Sequence, residues 1–173
     1  MKSHKLRALV FCGLIAAVYT ALTLLIAPLS FGMVQIRFSE ALTILPALSP
    51  FGIIGVTLGC FLSNLIGAFT GLNPLGYYDI LFGASATLTA AILSYFLRNI
   101  KVKGFPVLSP LPPILVNALI IGAELAFLET GKITLVAFAF NAALVGLGQL
   151  IPCYVLGLML YPTLKKILNK GNV

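Results

Sequence analysis

Apolar residues run along this chain in long blocks with short polar punctuation between them. The first block, Leu6 to Pro28, is long enough to span, since about 20 residues rising about 1.5 Å each cross a hydrocarbon core of about 30 Å. It predicts a first transmembrane helix, closed by Pro28. Ala41 to Phe69 is too long for one ordinary span and is interrupted by Ser49-Pro50-Phe51-Gly52, which predicts a second element followed by a third helix over Gly52 to Phe69. Ala41 to Leu48 cannot cross alone, so the second element either begins near Phe31 or is a short helix sunk in from the outer side. Thr70 to Tyr78 is a Gly/Pro/Asn loop, and Ile80 to Leu97 a fourth helix. Ser109-Pro110-Leu111-Pro112-Pro113 opens a fifth, because first-turn amides lack helical partners and tolerate proline. After a turn at Glu129 to Lys132, the sixth runs from Ile133 to about Leu164, and its length predicts a tilt or a kink at Pro152.

Charge fixes the count and the orientation. With Ala41 to Phe69 taken as two elements, Lys2, Lys5, Arg7, Arg98, Lys101, Lys103, Lys165, Lys166 and Lys170 fall on one side, leaving Arg37 and Lys132 across the membrane, so nine of the 11 basic residues share a face. That is the positive-inside pattern. The expectation is an all-α, polytopic bundle of six transmembrane helices with both termini cytoplasmic, a single domain over residues 1–173 in the cell membrane. The MKSHKLR start resembles a signal peptide, but the apolar run from Ala8 to Pro28 exceeds the roughly 7 to 15 residues of a cleavable core.

Composition agrees: 60% of the 173 residues are hydrophobic and 9% charged, against roughly 25% charged in soluble domains. The net charge of +7 comes from short basic clusters without aromatic interleaving, which suits orientation in a bilayer and not nucleic acid. Cys12, Cys60 and Cys153 lie far apart within apolar runs, and His4 is the one histidine, so neither a metal site nor a cofactor is expected. The chain has no G-x-x-x-x-G-K-[ST], H-E-x-x-H or G-x-S-x-G motif. It is therefore not read as an ATPase or as an enzyme of those classes.

Against this apolar background a few polar residues stand out. Arg37 and Glu40 are three apart in Gln35 to Pro46, and charges at membrane depth survive when paired, turned inward or used on a substrate. Following the helix directions places Asn64, Asp79, Glu124 and Asn141 in the outer half with Arg37 and Glu40, while Asn117 and Gln149 lie deeper. Asn117 and Glu124, seven apart, share a face of the fifth helix. Together they predict a substrate pocket entered from outside. The plainer alternatives are a surface hairpin for Arg37 and Glu40, an N-cap for Asp79, and scattered helix-packing polar groups for the rest. Amides and several carboxylates with one cation suit a small planar solute carrying several N–H donors. Two strips of small residues, Gly13, Ala17 and Ala21 on the first helix and Gly55, Gly59, Ser63 and Gly67 on the third, allow close helix approach. Spacing alone favours internal packing for the first strip.

The runs VQIRFSEALTILP, Asp79-Ile80-Leu81-Phe82-Gly83, PLPPILVNALIIGAEL (Pro110 to Leu125) and LVGLGQLIPCYVLG (Leu144 to Gly157) resemble the QueT family of queuosine-precursor transporters, substrate-binding S-components of energy-coupling factor (ECF) transporters. The resemblance covers nearly the whole chain. It implies six helices, a 7-deazaguanine-type substrate, and a separate module of a transmembrane T-component with two ATPases. It also implies that Ala17 and Ala21 match an A-x-x-x-A contact with the T-component, which turns the first strip outward. One departure is Gln149, where the family pattern suggests an acidic residue. The competing expectations are an S-component for another vitamin and an ion-coupled carrier using Glu124 and Asp79 as protonatable groups. The absence of a convincing internal repeat weighs against the carrier.

Overall fold

Glycines set the spacing of the first packed pair of helices in the computed structural model, which describes residues 2–32 and 34–171. In α1 (Lys2–Leu25) the buried strip is Cys12, Ile15, Ala16, Tyr19 and Thr23, and it lies against the glycine strip of α3 (Phe51–Phe69). A Cβ at Gly55 would sit 2.7 Å from the Ile15 Cβ, and one at Gly59 2.6 Å from that of Tyr19. These glycines are what bring the two backbones together. The contacts climb in step, Cys12 Sγ to the Phe51 carbonyl (3.4 Å), Ile15 on Gly55, then Thr20 Oγ1 to the Gly59 carbonyl (3.1 Å), so α1 and α3 run parallel.

Two parallel neighbours require the chain to return between them. After the short helix α2 (Ala27–Ser30) and an irregular stretch, the return is made by a 3-10 helix, Phe38–Ala47. Pro46 has no N–H to give, and a 3-10 helix rises about 2.0 Å per residue, so ten residues reach roughly 20 Å, short of a full span. Eight of the ten are buried, including Ser39, Glu40 and Thr43. The second predicted element is thus the short, sunken form, packed among α1, α3, α4 and α7.

The remaining helices are α4 (Tyr78–Leu97), α5 (Leu111–Thr130), α6 (Leu135–Leu150) and α7 (Gly157–Gly171), the last two joined without a break by a π-helical turn, Ile151–Leu156. That turn holds Pro152, the predicted kink. Extra residues per turn accommodate a ring that cannot donate to the ladder. Gly122 of α5 packs on the backbone of Ala142, and Gly146 on Ala118, an antiparallel pairing. The loop after α4 folds back to α7, where the Phe105 and Tyr161 rings lie 6.0 Å apart, and Leu168 of α7 shares a core cluster with Ile15 of α1. The loop after α4, the later turns of α7 and the first half of α1 therefore pack near one another. Five helices, counting α6 to α7 as one, are long and apolar enough to cross a membrane, and no strand occurs among the described residues. The chain is a multi-pass membrane protein.

Candidate functional site

The irregular stretch between α2 and the 3-10 helix is held against the bundle by backbone contact. Gly148 of α6 faces the Val34 carbonyl so closely that a Cβ there would overlap it. Gln35 follows with φ of 46°, a left-handed conformation, and is buried. This turn aims Arg37 inward. Its Nη2 donates to Asp79 Oδ2 (3.1 Å), its Nε to the Ser30 carbonyl (3.0 Å), and its guanidinium lies 5.0 Å from the centre of the Phe31 ring. Arg37 does not pair with Glu40, despite their spacing of three, because the 3-10 helix starts at Phe38 and leaves Arg37 extended.

Asp79 is completely buried in the first turn of α4. The N-cap reading is corrected: Tyr77 occupies that position, and the Asp79 carboxylate instead takes Arg37 and Asn73 Nδ2 (2.7 Å) on one oxygen. Asn64 of α3 donates to the Asp79 backbone carbonyl (2.8 Å), and Gly83 leaves the room for it. Cys60 completes the cluster, with Asn64 Nδ2 at 3.6 Å and Arg37 Nη1 at 3.9 Å from its sulfur. Five segments, α2, the stretch before the 3-10 helix, α3, the 70–77 loop and α4, thus converge on one buried ion pair.

Glu40 sits in a second group, where it accepts from the Tyr19 hydroxyl, with Ser39 bonded to Thr23 (2.7 Å) beside it. The Glu40 carbonyl receives Thr43 Oγ1 at 2.6 Å. Asn141 is buried and donates to Glu129 Oε2 (2.8 Å) at the end of α5. Asn117 is buried and makes no side-chain hydrogen bond among the described residues. Gln149 is buried with its Oε1 3.4 Å from Cys153 Sγ. Glu124 is buried with neither carboxylate oxygen bonded among the described residues, and it is one of the residues lining a groove of about 660 Å³ between α4 and α5. A smaller cavity of about 230 Å³, lined by Phe31, Pro74, Leu75 and Glu129, adjoins it through Leu128.

The sequence reading missed Tyr19, Asn73, Phe31 and Cys60 as parts of these groups. Asn73 carried a signal, since an Asn six residues before a buried Asp in a tight loop is well placed to cap it. The others looked like span and packing residues. Gly13, Ala17 and Ala21 lie together on the exposed face of α1, opposite its buried strip, and a Cβ at Gly13 would meet nothing within 4 Å.

Most of the unpaired buried side-chain atoms are acceptors. Asn64 Oδ1 and Asn141 Oδ1 only accept, as do Glu40 Oε2, Asp79 Oδ1 and both Glu124 oxygens when those carboxyls are ionised, whereas Gln35 Nε2 only donates and Ser30, Ser49 and Thr57 can do either. Such groups are expensive unless something supplies hydrogens to them. The unpaired acceptors among them would be satisfied by N–H donors.

Comparison with known proteins gives an independent result. A family model described as QueT transporter matches residues 9–166. A curated relative, "Queuosine precursor transporter QueT" of Lactococcus lactis subsp. cremoris (strain MG1363), is 32% identical over 99 residues, 56% of this chain and 54% of the relative. The match thus spans about half of that relative's length. No solved structure matches.

Proposed function

Because this chain belongs to the QueT transporter family, we propose that it captures a queuosine precursor of the 7-deazaguanine type from outside the cell, as the membrane-embedded S-component of an ECF importer. The observation that carries this is the surplus of buried acceptors over donors. A deazaguanine edge offers a ring N–H and an exocyclic amine, which together fit one carboxylate, while its carbonyl accepts from an amide or from Arg37.

In this reading the 3-10 helix completes a bundle of six elements with both termini cytoplasmic. The parallel course of α1 and α3 supports it, as does the gathering of Lys103, Lys165 and Lys166 around one groove at the end where Leu168 meets α1. Energy comes from other chains, a T-component with two ATPases, since this sequence has no phosphate-cradling loop. The exposed strip of Gly13, Ala17 and Ala21 is the docking face for the T-component.

Mass spectrometry of small molecules released from the purified, denatured protein tests the substrate. A deazaguanine is expected, and stoichiometric recovery of an unrelated vitamin overturns the assignment. One observation favours a second reading: a buried carboxylate with no partner among the described residues, Glu124, is what a proton-coupled carrier would use. That reading requires uptake by vesicles containing this chain alone under an ion gradient.

A further inference from the structure

The loop between α4 and α5 is fixed at both its base and its tip. At the base, the fully buried hydroxyls of Ser94 and Ser109 each donate to the other residue's carbonyl, at 2.7 and 3.1 Å. At the tip, Val102 and Phe105 exchange backbone hydrogen bonds of 3.0 Å across Lys103 and Gly104, whose φ angles are 50° and 85°. Positive φ at both central residues defines a two-residue turn that favours Asn or Gly at its first position, so a lysine there holds a strained left-handed backbone. The Phe105 ring, 6.0 Å from that of Tyr161, lays this turn against α7.

The strained turn places its lysine beside two more cations. Lys103, Lys165 and Lys166 line one groove of about 500 Å³ together with Phe105, Tyr161 and Asn169. The chain's four acidic side chains, Glu40, Asp79, Glu124 and Glu129, all lie in other segments, and none of the three lysines is in an ion pair among the described residues. Such a groove calls for an anion, and ammonium groups with an amide beside them donate well to a phosphate. Its depth points to the source. The segment Leu135–Asn169 is long and apolar enough to span, and Lys165 and Lys166 stand in its last turns, beyond the exposed Met159 and Leu160, where hydrocarbon gives way to headgroups. Ile167 beside them is exposed, as are Ile100 and Val102, which alternate with Lys101 and Lys103 in the loop. Exposed apolar side chains next to cations are the composition of an interfacial anchor. An acidic protein segment would match only the charges, whereas a lipid also covers the apolar groups with its acyl chains.

We propose that the groove between the 102–105 turn and α7 holds the phosphate of an anionic phospholipid from the surrounding bilayer. The test is native mass spectrometry of the purified full chain, titrated in mixed micelles with dioleoylphosphatidylglycerol or dioleoylphosphatidylcholine. Wild type should take its first phosphatidylglycerol about tenfold more tightly than phosphatidylcholine. Lys165→Gln combined with Lys166→Gln should remove most of that preference, whereas Lys5→Gln with Arg7→Gln, which deletes the same charge at the start of α1, should leave it within about twofold. Lys103→Gly should weaken phosphatidylglycerol binding by about fivefold while keeping or raising the thermal midpoint, because glycine relaxes the left-handed turn as the charge is lost. That variant decides the question should the Lys165/Lys166 double variant fail to fold. Excess inorganic phosphate should not displace the bound lipid. No preference in wild type, an unchanged preference in Lys103→Gly, or equal losses in the two double variants overturns the site, and displacement by phosphate overturns the lipid as its occupant.

Discussion

Arg37 and Asp79, 42 residues apart in sequence, meet with Nη2 3.1 Å from Oδ2, and their side chains are 4% and 0% exposed. The ion pair ties the stretch before the 3-10 helix to the first turn of α4. Removing one partner leaves the other charge buried and uncompensated, so Arg37→Met and Asp79→Leu should each destabilise the purified protein by about 3 to 5 kcal/mol. The double variant should recover much of that loss. Thermal unfolding in detergent measures all four proteins, and a coupling below about 0.5 kcal/mol would contradict the pairing.

The two small-residue strips should behave in opposite ways. At Gly59 a methyl group would press on the Tyr19 ring and stand 3.1 Å from the Ala16 carbonyl, so Gly59→Ala should cost about 1 to 3 kcal/mol through overpacking. Ala17 and Ala21 are exposed, and Ala17→Trp or Ala21→Trp should change stability by only about 0.5 kcal/mol while abolishing co-purification with a T-component and uptake. Loss of ligand binding in the Trp variants would show that the strip serves the bundle itself.

Gly148 is the seat of the stretch that delivers Arg37. A Cβ there overlaps the Val34 carbonyl, and an α6 backbone cannot yield easily, so Gly148→Ala should push residues 34–37 outward. The expected result is a stability loss of about 1 to 3 kcal/mol together with weakened ligand binding. Gly146→Ala is the control, because a Cβ at Gly146 meets only the Ala118 methyl at 3.6 Å, an ordinary contact. Similar losses in both variants would mean that α6 tolerates no added bulk anywhere, and the special role of Gly148 would be withdrawn.

The long helices were legible because apolar runs of spanning length have few other fates. The second element was harder. Phe38–Ala47 has the same apolar content whether it coils as an α- or a 3-10 helix, and only Pro46 hints that the ladder is irregular. The polar residues chosen from the sequence are indeed buried, but their partners were not readable. Tyr19 reaches Glu40 from the middle of a span, and Asn73 reaches Asp79 from a loop, through contacts that exist only once the helices pack. The nearest opposite charge in sequence, Glu40, proved not to be the partner of Arg37, since one extended residue rotated the guanidinium toward α4.

The most direct test of the central claim is isothermal titration of the isolated, purified chain with deazaguanine queuosine precursors, with guanine and unrelated vitamins for comparison. The account predicts saturable one-to-one binding of at least one deazaguanine, with no ATPase present, and affinity weakened by about 2 to 5 kcal/mol in Glu40→Gln or Glu124→Gln. Binding of an unrelated vitamin with no response to any deazaguanine would contradict it.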